Sequence, residues 1–69
     1  MQGVLERFGQ HLKELRKKEN LTQQEFAIRS GLHRNYIGML ERGERNPSLK
    51  NLELISMTLK ITLSELMDF

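Results

Sequence analysis

Apolar residues recur along this chain at the spacing of an α-helix, and this periodicity constrains the fold more than any other feature. Leu5, Phe8, Leu12 and Leu15 lie three or four residues apart, which places them on one face of a helix over residues 4–18. No segment alternates between apolar and polar residues over the length of a strand, so no sheet is expected. The sequence therefore predicts an all-α fold, a compact five-helix bundle forming a single domain over residues 1–69. The further helices are predicted over about residues 22–29, 33–41, 48–59 and 63–68.

Local signals for helix starts and stops support these boundaries. Thr22-Gln23-Gln24-Glu25 has the capping-box pattern, in which the threonine and glutamate side chains each accept from the other residue's backbone amide. Thr62-Leu63-Ser64-Glu65 repeats that pattern, and Ser48 is a good N-cap for the fourth helix. Gly31 is expected to end the second helix because it adopts a positive φ without strain, and Asn20 is expected to do so after the first.

The composition excludes several classes of protein. The chain has 69 residues and no cysteine, which removes disulfides, cysteine-ligated zinc and thiol nucleophiles. A core of this size leaves little room for a buried active-site cleft, and His11 has no partner at metal-ligand spacing. We therefore expect no enzyme, no metal and no cofactor. The sequence contains no membrane-spanning apolar stretch and no signal peptide, so a cytoplasmic protein is expected, and the capped last helix favours a complete protein over a piece of a longer regulator.

Positive charge is concentrated in the middle of the chain. The net charge of the whole chain is only +2, but residues 29–50 carry +3 whereas residues 51–69 carry −2. A basic segment suggests a polyanionic partner, so residues 29–50 are the candidate binding face.

The second and third predicted helices are separated by only three or four residues around Gly31, which is the spacing of a helix-turn-helix motif. Ala27 offers the small side chain that two closely approaching helices need. Ile37 and Leu40 are expected to hold the underside of the third helix against the core.

The outer part of the third helix then carries the residues that could read DNA. These are expected to be Arg34, Asn35, Gly38 and the tip of Tyr36. Arginine and asparagine are the side chains that bond guanine and adenine edges in the major groove, and the first turn of the recognition helix is where such contacts are usually made.

Taken together, these residues resemble the Xre/lambdoid-repressor helix-turn-helix family, and most closely the controller proteins of restriction–modification systems. The resemblance covers about residues 8–68. It is carried by Thr22-Gln23-Gln24-Glu25-Phe26-Ala27, Ser30-Gly31-Leu32, His33-Arg34-Asn35-Tyr36-Ile37, Leu40-Glu41-Arg42-Gly43-Glu44-Arg45-Asn46-Pro47-Ser48-Leu49 and Leu63-Ser64-Glu65-Leu66.

The resemblance implies a role for each matching position. Base reading is implied for Arg34 and Asn35, and Tyr36 is implied to contact the DNA backbone or to pack beside it. His33 is expected either to cap the third helix or to contact a phosphate. Phosphate-contacting positions of the family are matched by Gln23, Arg45 and Asn46. A buried structural ion pair is implied for Arg16 and Glu41.

This chain departs from the family pattern at several positions, two of which concern a helix end and the DNA-reading surface. Lys60 stands where relatives usually have the glycine that ends the fourth helix. Either a left-handed lysine there is strained by about 1 kcal/mol, or the turn differs from that of the family. Gly38 stands where relatives carry a side chain that can reach bases, which leaves Arg34 and Asn35 with more of the specificity.

The C-terminal helices carry more apolar residues than one buried stripe needs. We interpret Leu54, Met57, Met67 and Phe69 as a homodimer interface, with scattered surface hydrophobes as the alternative. A two-fold dimer would place two recognition helices about 34 Å apart, one turn of duplex. The sequence thus predicts a transcriptional regulator that binds a palindromic operator in double-stranded DNA. The alternative is a protein-interaction module, such as an antitoxin or anti-repressor partner.

Overall fold

At the start of three of the five helices in the computed structural model, which describes residues 3–69, the N-cap side chain accepts a hydrogen bond from a backbone amide. The all-α class and the five-helix architecture are confirmed. Met1 and Gln2, which belong to the predicted domain and to the signal-peptide argument, lie outside the described residues. The helices are α1 (Val4–Lys18), α2 (Gln23–Ser30), α3 (Arg34–Glu41), α4 (Leu49–Leu59) and α5 (Leu63–Leu66).

The predicted end of the last helix was wrong. The helix was expected to run to residue 68, but α5 ends at Leu66. The amide of Asp68 bonds the carbonyl of Glu65, three residues back, at 3.3 Å, so the chain tightens into a turn instead of continuing the α-helical ladder.

Both predicted capping boxes are present. The Glu25 amide donates to Thr22 Oγ1 at 3.0 Å, and the Thr22 amide donates to Glu25 Oε1 at 2.9 Å. The second bond lowers the pKa of the Glu25 carboxyl below its ordinary value, so this cap stabilises the fold at neutral pH and is lost as acid protonates the group. Thr62 and Glu65 form the same pair of bonds at the start of α5.

Left-handed residues follow three of the helices, and two of them, Asn20 and Gly31, were predicted from the sequence. Asn20 has φ 59°, and Gly31 has φ 77°. Lys60 has φ 58° and ψ 41° at the end of α4, so the strained alternative for this position is the correct one. Because lysine has a Cβ, this left-handed conformation costs about 1 kcal/mol more than it would for glycine.

The core lies where all five helices meet. Within it α1 packs against α3, α2 packs against α3 and α4, and α5 packs against α4. Its least exposed side chains are Leu12, Phe26, Ile37, Leu40, Ile55 and Leu66. Within residues 3–69, no helix combines the length and the apolar character needed to cross a bilayer.

A buried glycine sets the distance between α1 and the end of α3. A Cβ on Gly9 would lie 2.6 Å from the carbonyl oxygen of Glu41 and would also clash with the carbonyl oxygen of Leu40. The two backbones are therefore in direct contact, and only glycine fits between them at this distance. This contact positions α3 on the rest of the protein.

Next to Gly9, the predicted buried ion pair is present. Arg16 donates through Nε to Glu41 Oε2 at 2.6 Å and through Nη2 to Glu41 Oε1 at 3.0 Å. Its Nη1 donates to the carbonyl of Leu21 at 2.7 Å, just before α2. The Arg16 and Glu41 side chains are 8% and 3% exposed, so both charges depend on each other for solvation.

Candidate nucleic-acid interface

The start of α3 is the most exposed part of that helix. Arg34 and Asn35 are exposed in its first turn, whereas Ile37 and Leu40 on the opposite side are fully buried. The predicted orientation of α3 is therefore confirmed for these four residues. Gly38 lies on the same side as Arg34 and Asn35, but it is buried beneath other side chains and is not exposed.

The burial of Gly38 comes from two side chains that cover it. Arg42 Nη1 lies 3.1 Å, and Gln23 Oε1 lies 3.7 Å, from the position that a Cβ on Gly38 would occupy. Arg42 is four residues after Gly38 and so lies above it on the same face of the helix. Because Gly38 has no side chain, the Arg42 guanidinium occupies the space above it.

A shallow groove runs between α2 and α3 at this point, and we call it the α2–α3 groove. Three of its seven residues were predicted as DNA contacts, Gly38 was expected on this face without a side chain, and three more (Met39, Arg42 and Glu44) were not predicted. The spacing of Arg42 from Gly38 is the signal that could have pointed to it. The groove is lined by Gln23, Arg34, Asn35, Gly38, Met39, Arg42 and Glu44.

The Gln23 side chain is already engaged within the protein. Its Nε2 donates to Glu41 Oε1 at 3.0 Å. Since a carboxylate only accepts hydrogen bonds, the amide must turn its nitrogen towards Glu41 and its oxygen towards Gly38. One N–H of this side chain remains for a phosphate, together with the free backbone amides at the start of α2.

Tyr36 connects the recognition helix to α4 and to the following loop. Asn51 Nδ2 donates to the Tyr36 hydroxyl at 3.0 Å, and the Arg45 guanidinium lies 5.7 Å from the centre of the Tyr36 ring. The hydroxyl accepts from Asn51, so its own proton stays free to donate to an approaching acceptor. The ring also supports Arg45 by a cation–π contact.

His33 and Asn46 lie at the margins of this surface. His33 occupies the N-cap position of α3, but its exposed side chain makes no capping hydrogen bond in the described chain, so capping by the imidazole was wrong. Asn46 is exposed and lines a small apolar cleft with Pro47, Phe8 and Phe69, away from the α2–α3 groove.

Charges on this surface are arranged unevenly. Within residues 3–69, Arg34 and Arg45 have no ion-pair partner, whereas Arg42 is paired with Glu44 through Nε–Oε2 at 2.9 Å and Nη2–Oε1 at 3.1 Å. The hydrogen bond from Arg42 lowers the pKa of the Glu44 carboxyl. Among the same residues, no three His, Asp or Glu side chains gather as a metal site would need.

The predicted dimer residues differ in exposure. Met57 is 66% exposed on α4, Met67 is 45% exposed after α5, and Leu54 is half-buried. Phe69 is 42% exposed, and its ring packs edgewise on Phe8 of the same chain at 5.8 Å between centroids. Met57 is thus the most accessible of the four.

Comparison with known proteins gives consistent results. The family model HTH_3, described as helix-turn-helix, matches residues 12–66. Control protein C.MunI of Mycoplasma sp is 52% identical over 67 residues, which are 96% of this chain and 90% of the relative. The restriction–modification controller protein C.AhdI from Aeromonas hydrophila superposes with a TM-score of 0.88 at 47% identity, covering 90% of this chain and 94% of that one. SinR in complex with DNA superposes with a TM-score of 0.83 at 32% identity, covering 88% and 98%.

Proposed function

The chain belongs to the helix-turn-helix family and is a DNA-binding transcriptional regulator, and from this premise we propose that it binds a palindromic operator as a homodimer. One observation carries the proposal. Arg34 and Asn35 are exposed and unobstructed in the first turn of a helix whose opposite side is fixed in the core. We place this activity in the cytoplasm and, by similarity to the control proteins, in the regulation of restriction–modification genes.

We assign sequence reading and positioning to different residues. Arg34 and Asn35 bond base edges, because their side chains match guanine and adenine in the major groove. The remaining residues fix the position of the protein on the duplex through phosphates and carry little sequence information themselves. These are Gln23, His33, Tyr36, Arg45 and Asn46.

Arg34→Ala is expected to weaken binding to the operator by about 1–3 kcal/mol and to relax the base preference at one position of each half-site. The reason is the loss of one bidentate contact that only the correct base can make. The operator is first obtained by selecting bound sites from a random duplex pool. Titrations at fixed salt then compare the wild type with the variant on the selected site and on random duplex.

Arg45→Ala is the matched control, since it removes an equally unpaired arginine from the phosphate-contacting loop. It should weaken binding to both duplexes alike and reduce the salt dependence by about one phosphate contact. If Arg34→Ala also weakens both duplexes alike, Arg34 is a phosphate contact and its assignment as a base reader fails.

We propose that the dimer forms through apolar residues on α4 and after α5. Met57, which is 66% exposed on α4 in a segment that carries few charged residues, supports a self-association surface. Leu54, Met67 and Phe69 extend this surface. A two-fold dimer that binds a palindrome would place the two copies of α3 about 34 Å apart, one turn of duplex.

Met57→Glu is expected to shift the protein from dimer to monomer in sedimentation at micromolar concentration, because it buries a charge at the interface. Ile28→Glu is the control, since Ile28 is 73% exposed on α2 and lies outside the proposed interface. A wild type that sediments as a monomer at high micromolar concentration, or an equal effect of both variants, would contradict the interface.

A further inference from the structure

The Arg42 guanidinium lies in the α2–α3 groove, but its charge is not available to a ligand. Its Nε and Nη2 donate to the two carboxylate oxygens of Glu44, at 2.9 and 3.1 Å. Its Nη1 lies over Gly38, in the space that a side chain there would fill. Arg42 is therefore held beside Arg34 and Asn35 by a glycine below it and a carboxylate in front of it.

A carboxylate at this place is unfavourable for DNA binding unless it has a further role. The groove receives a polyanion, and Glu44 neutralises the Arg42 charge that would otherwise attract it. The pair is exposed to solvent, with 58% of the Arg42 side chain and 52% of the Glu44 side chain accessible. Such a pair is weak enough for another bidentate anion to displace the carboxylate.

Phosphate is an anion of this kind. Its oxygens accept the same two parallel N–H bonds from a guanidinium that a carboxylate accepts. A duplex seated with Arg34 and Asn35 on their bases brings its backbone to the rim of the same groove, where Arg42 lies. On a duplex that does not fit, Arg34 and Asn35 do not fix a phosphate beside Arg42 firmly enough to displace the carboxylate, and Arg42 then remains paired with Glu44.

We propose, resting on the function proposed above, that Arg42 is a further DNA-contacting residue and that Glu44 is an internal competitor for it. In the free protein and on random duplex, Glu44 occupies the bidentate face of Arg42. On the operator, a phosphate replaces Glu44. Glu44 thereby lowers the affinity for random DNA more than the affinity for the operator, and it raises specificity without touching a base.

The proposal is tested by the slope of log binding constant against log salt concentration for four proteins: the wild type, Glu44→Gln, Arg42→Ala and the double variant. Each phosphate contact contributes about 0.9 to this slope. Glu44→Gln should steepen the slope on random duplex by about that amount, strengthen random binding several-fold and leave the slope on the operator unchanged. Arg42→Ala should flatten the slope on the operator by the same amount and leave random binding unchanged.

The double variant separates competition from general repulsion. If Glu44 acts through Arg42, the effect of Glu44→Gln disappears once Arg42 is alanine. A several-fold gain that persists in the Arg42→Ala background would overturn the proposal, because Glu44 would then repel DNA directly. So would a change in the selected base at one position, since Glu44 would then be reading a cytosine amino group. Thermal unfolding of each variant checks that this exposed pair leaves the fold intact.

The wild type in the same titrations tests the proposed function separately. If it binds the selected site no better than random duplex, the proposed function fails, and this inference fails with it. If it prefers the selected site and the two single variants leave both slopes unchanged, only the competition between Glu44 and phosphate is rejected.

Discussion

Replacing Glu41 by glutamine is expected to destabilise the protein by about 3–5 kcal/mol. The substitution keeps the size of the side chain but removes the charge that two nitrogens of Arg16 bond, at 2.6 and 3.0 Å. Arg16 is buried, so its guanidinium would be left without a counterion in a place that water does not reach. The amide of Gln23, which also donates to Glu41, would lose its charged acceptor. Single domains are stable by about 5–15 kcal/mol, so this loss would be a large fraction of the total.

The measurement is urea unfolding followed by circular dichroism, with Glu44→Gln as the matched control. This variant makes the same chemical change in the exposed pair with Arg42, where water solvates both charges. The unfolding midpoint of Glu44→Gln should therefore differ little from that of the wild type. Equal midpoints for the two variants would show that the buried pair contributes no more than a surface pair, contrary to this prediction.

Gly9→Ala is expected to cost about 3 kcal/mol of unfolding free energy, at the upper end for overpacked sites. The new methyl group would meet the backbone carbonyls of Leu40 and Glu41, which cannot turn aside as a side chain can. Helix α1 would have to move away from α3 and weaken the Arg16–Glu41 pair beside it. The higher helix propensity of alanine, about 1 kcal/mol, does not offset this clash.

Gly38→Ala is the comparison that isolates the cause, because Gly38 is also a buried glycine within a helix. Its Cβ would meet the tips of Arg42 and Gln23 at 3.1 and 3.7 Å, and the exposed Arg42 tip can move. We therefore expect the opposite sign, a gain of up to about 1 kcal/mol. Thermal and urea unfolding of both variants decide the matter, and a loss at both positions would mean that the two sites are not distinguished by backbone contact.

Features that depend on neighbouring residues in the sequence were predictable. The capping boxes at Thr22 and Thr62 and the turn at Gly31 involve residues at most three positions apart, so the sequence order itself brings the atoms together. Helix periodicity gave the number of helices and most of their ends. It failed at α5, where a four-residue helix gives the pattern too few turns to define its end.

Features that depend on how the helices pack could not be predicted from the chain alone. The residues around Gly9 in the sequence do not indicate that the carbonyls of Leu40 and Glu41 lie against it, because this contact depends on the packing of α1 on α3. Phe69 is a similar case, because its contact with Phe8 joins the two ends of the described chain. The Arg16–Glu41 pair was anticipated only through the family resemblance, since its residues are far apart in the sequence.

The candidate interface divides in the same way. Arg34 and Asn35 were predicted because the core residues on the opposite side of α3 fix which way they point. Gln23 was expected to offer its side chain to DNA, but Glu41, reached across the bundle, takes one of its N–H groups. Arg42 and Glu44 were missed because their importance depends on the position of the Arg42 guanidinium over Gly38.

The contacts of Arg16 also affect binding energetics. This one guanidinium holds the carbonyl of Leu21, where the chain enters the helix-turn-helix, and Glu41, where the chain leaves it. The two helices between these points are therefore closed into a loop by a non-covalent clasp on α1. Because the helix-turn-helix is already ordered in the folded protein, DNA binding loses less conformational entropy. A larger part of the contact energy at α3 then contributes to affinity. A buried arginine on α1 thus acts as a preorganising element for recognition.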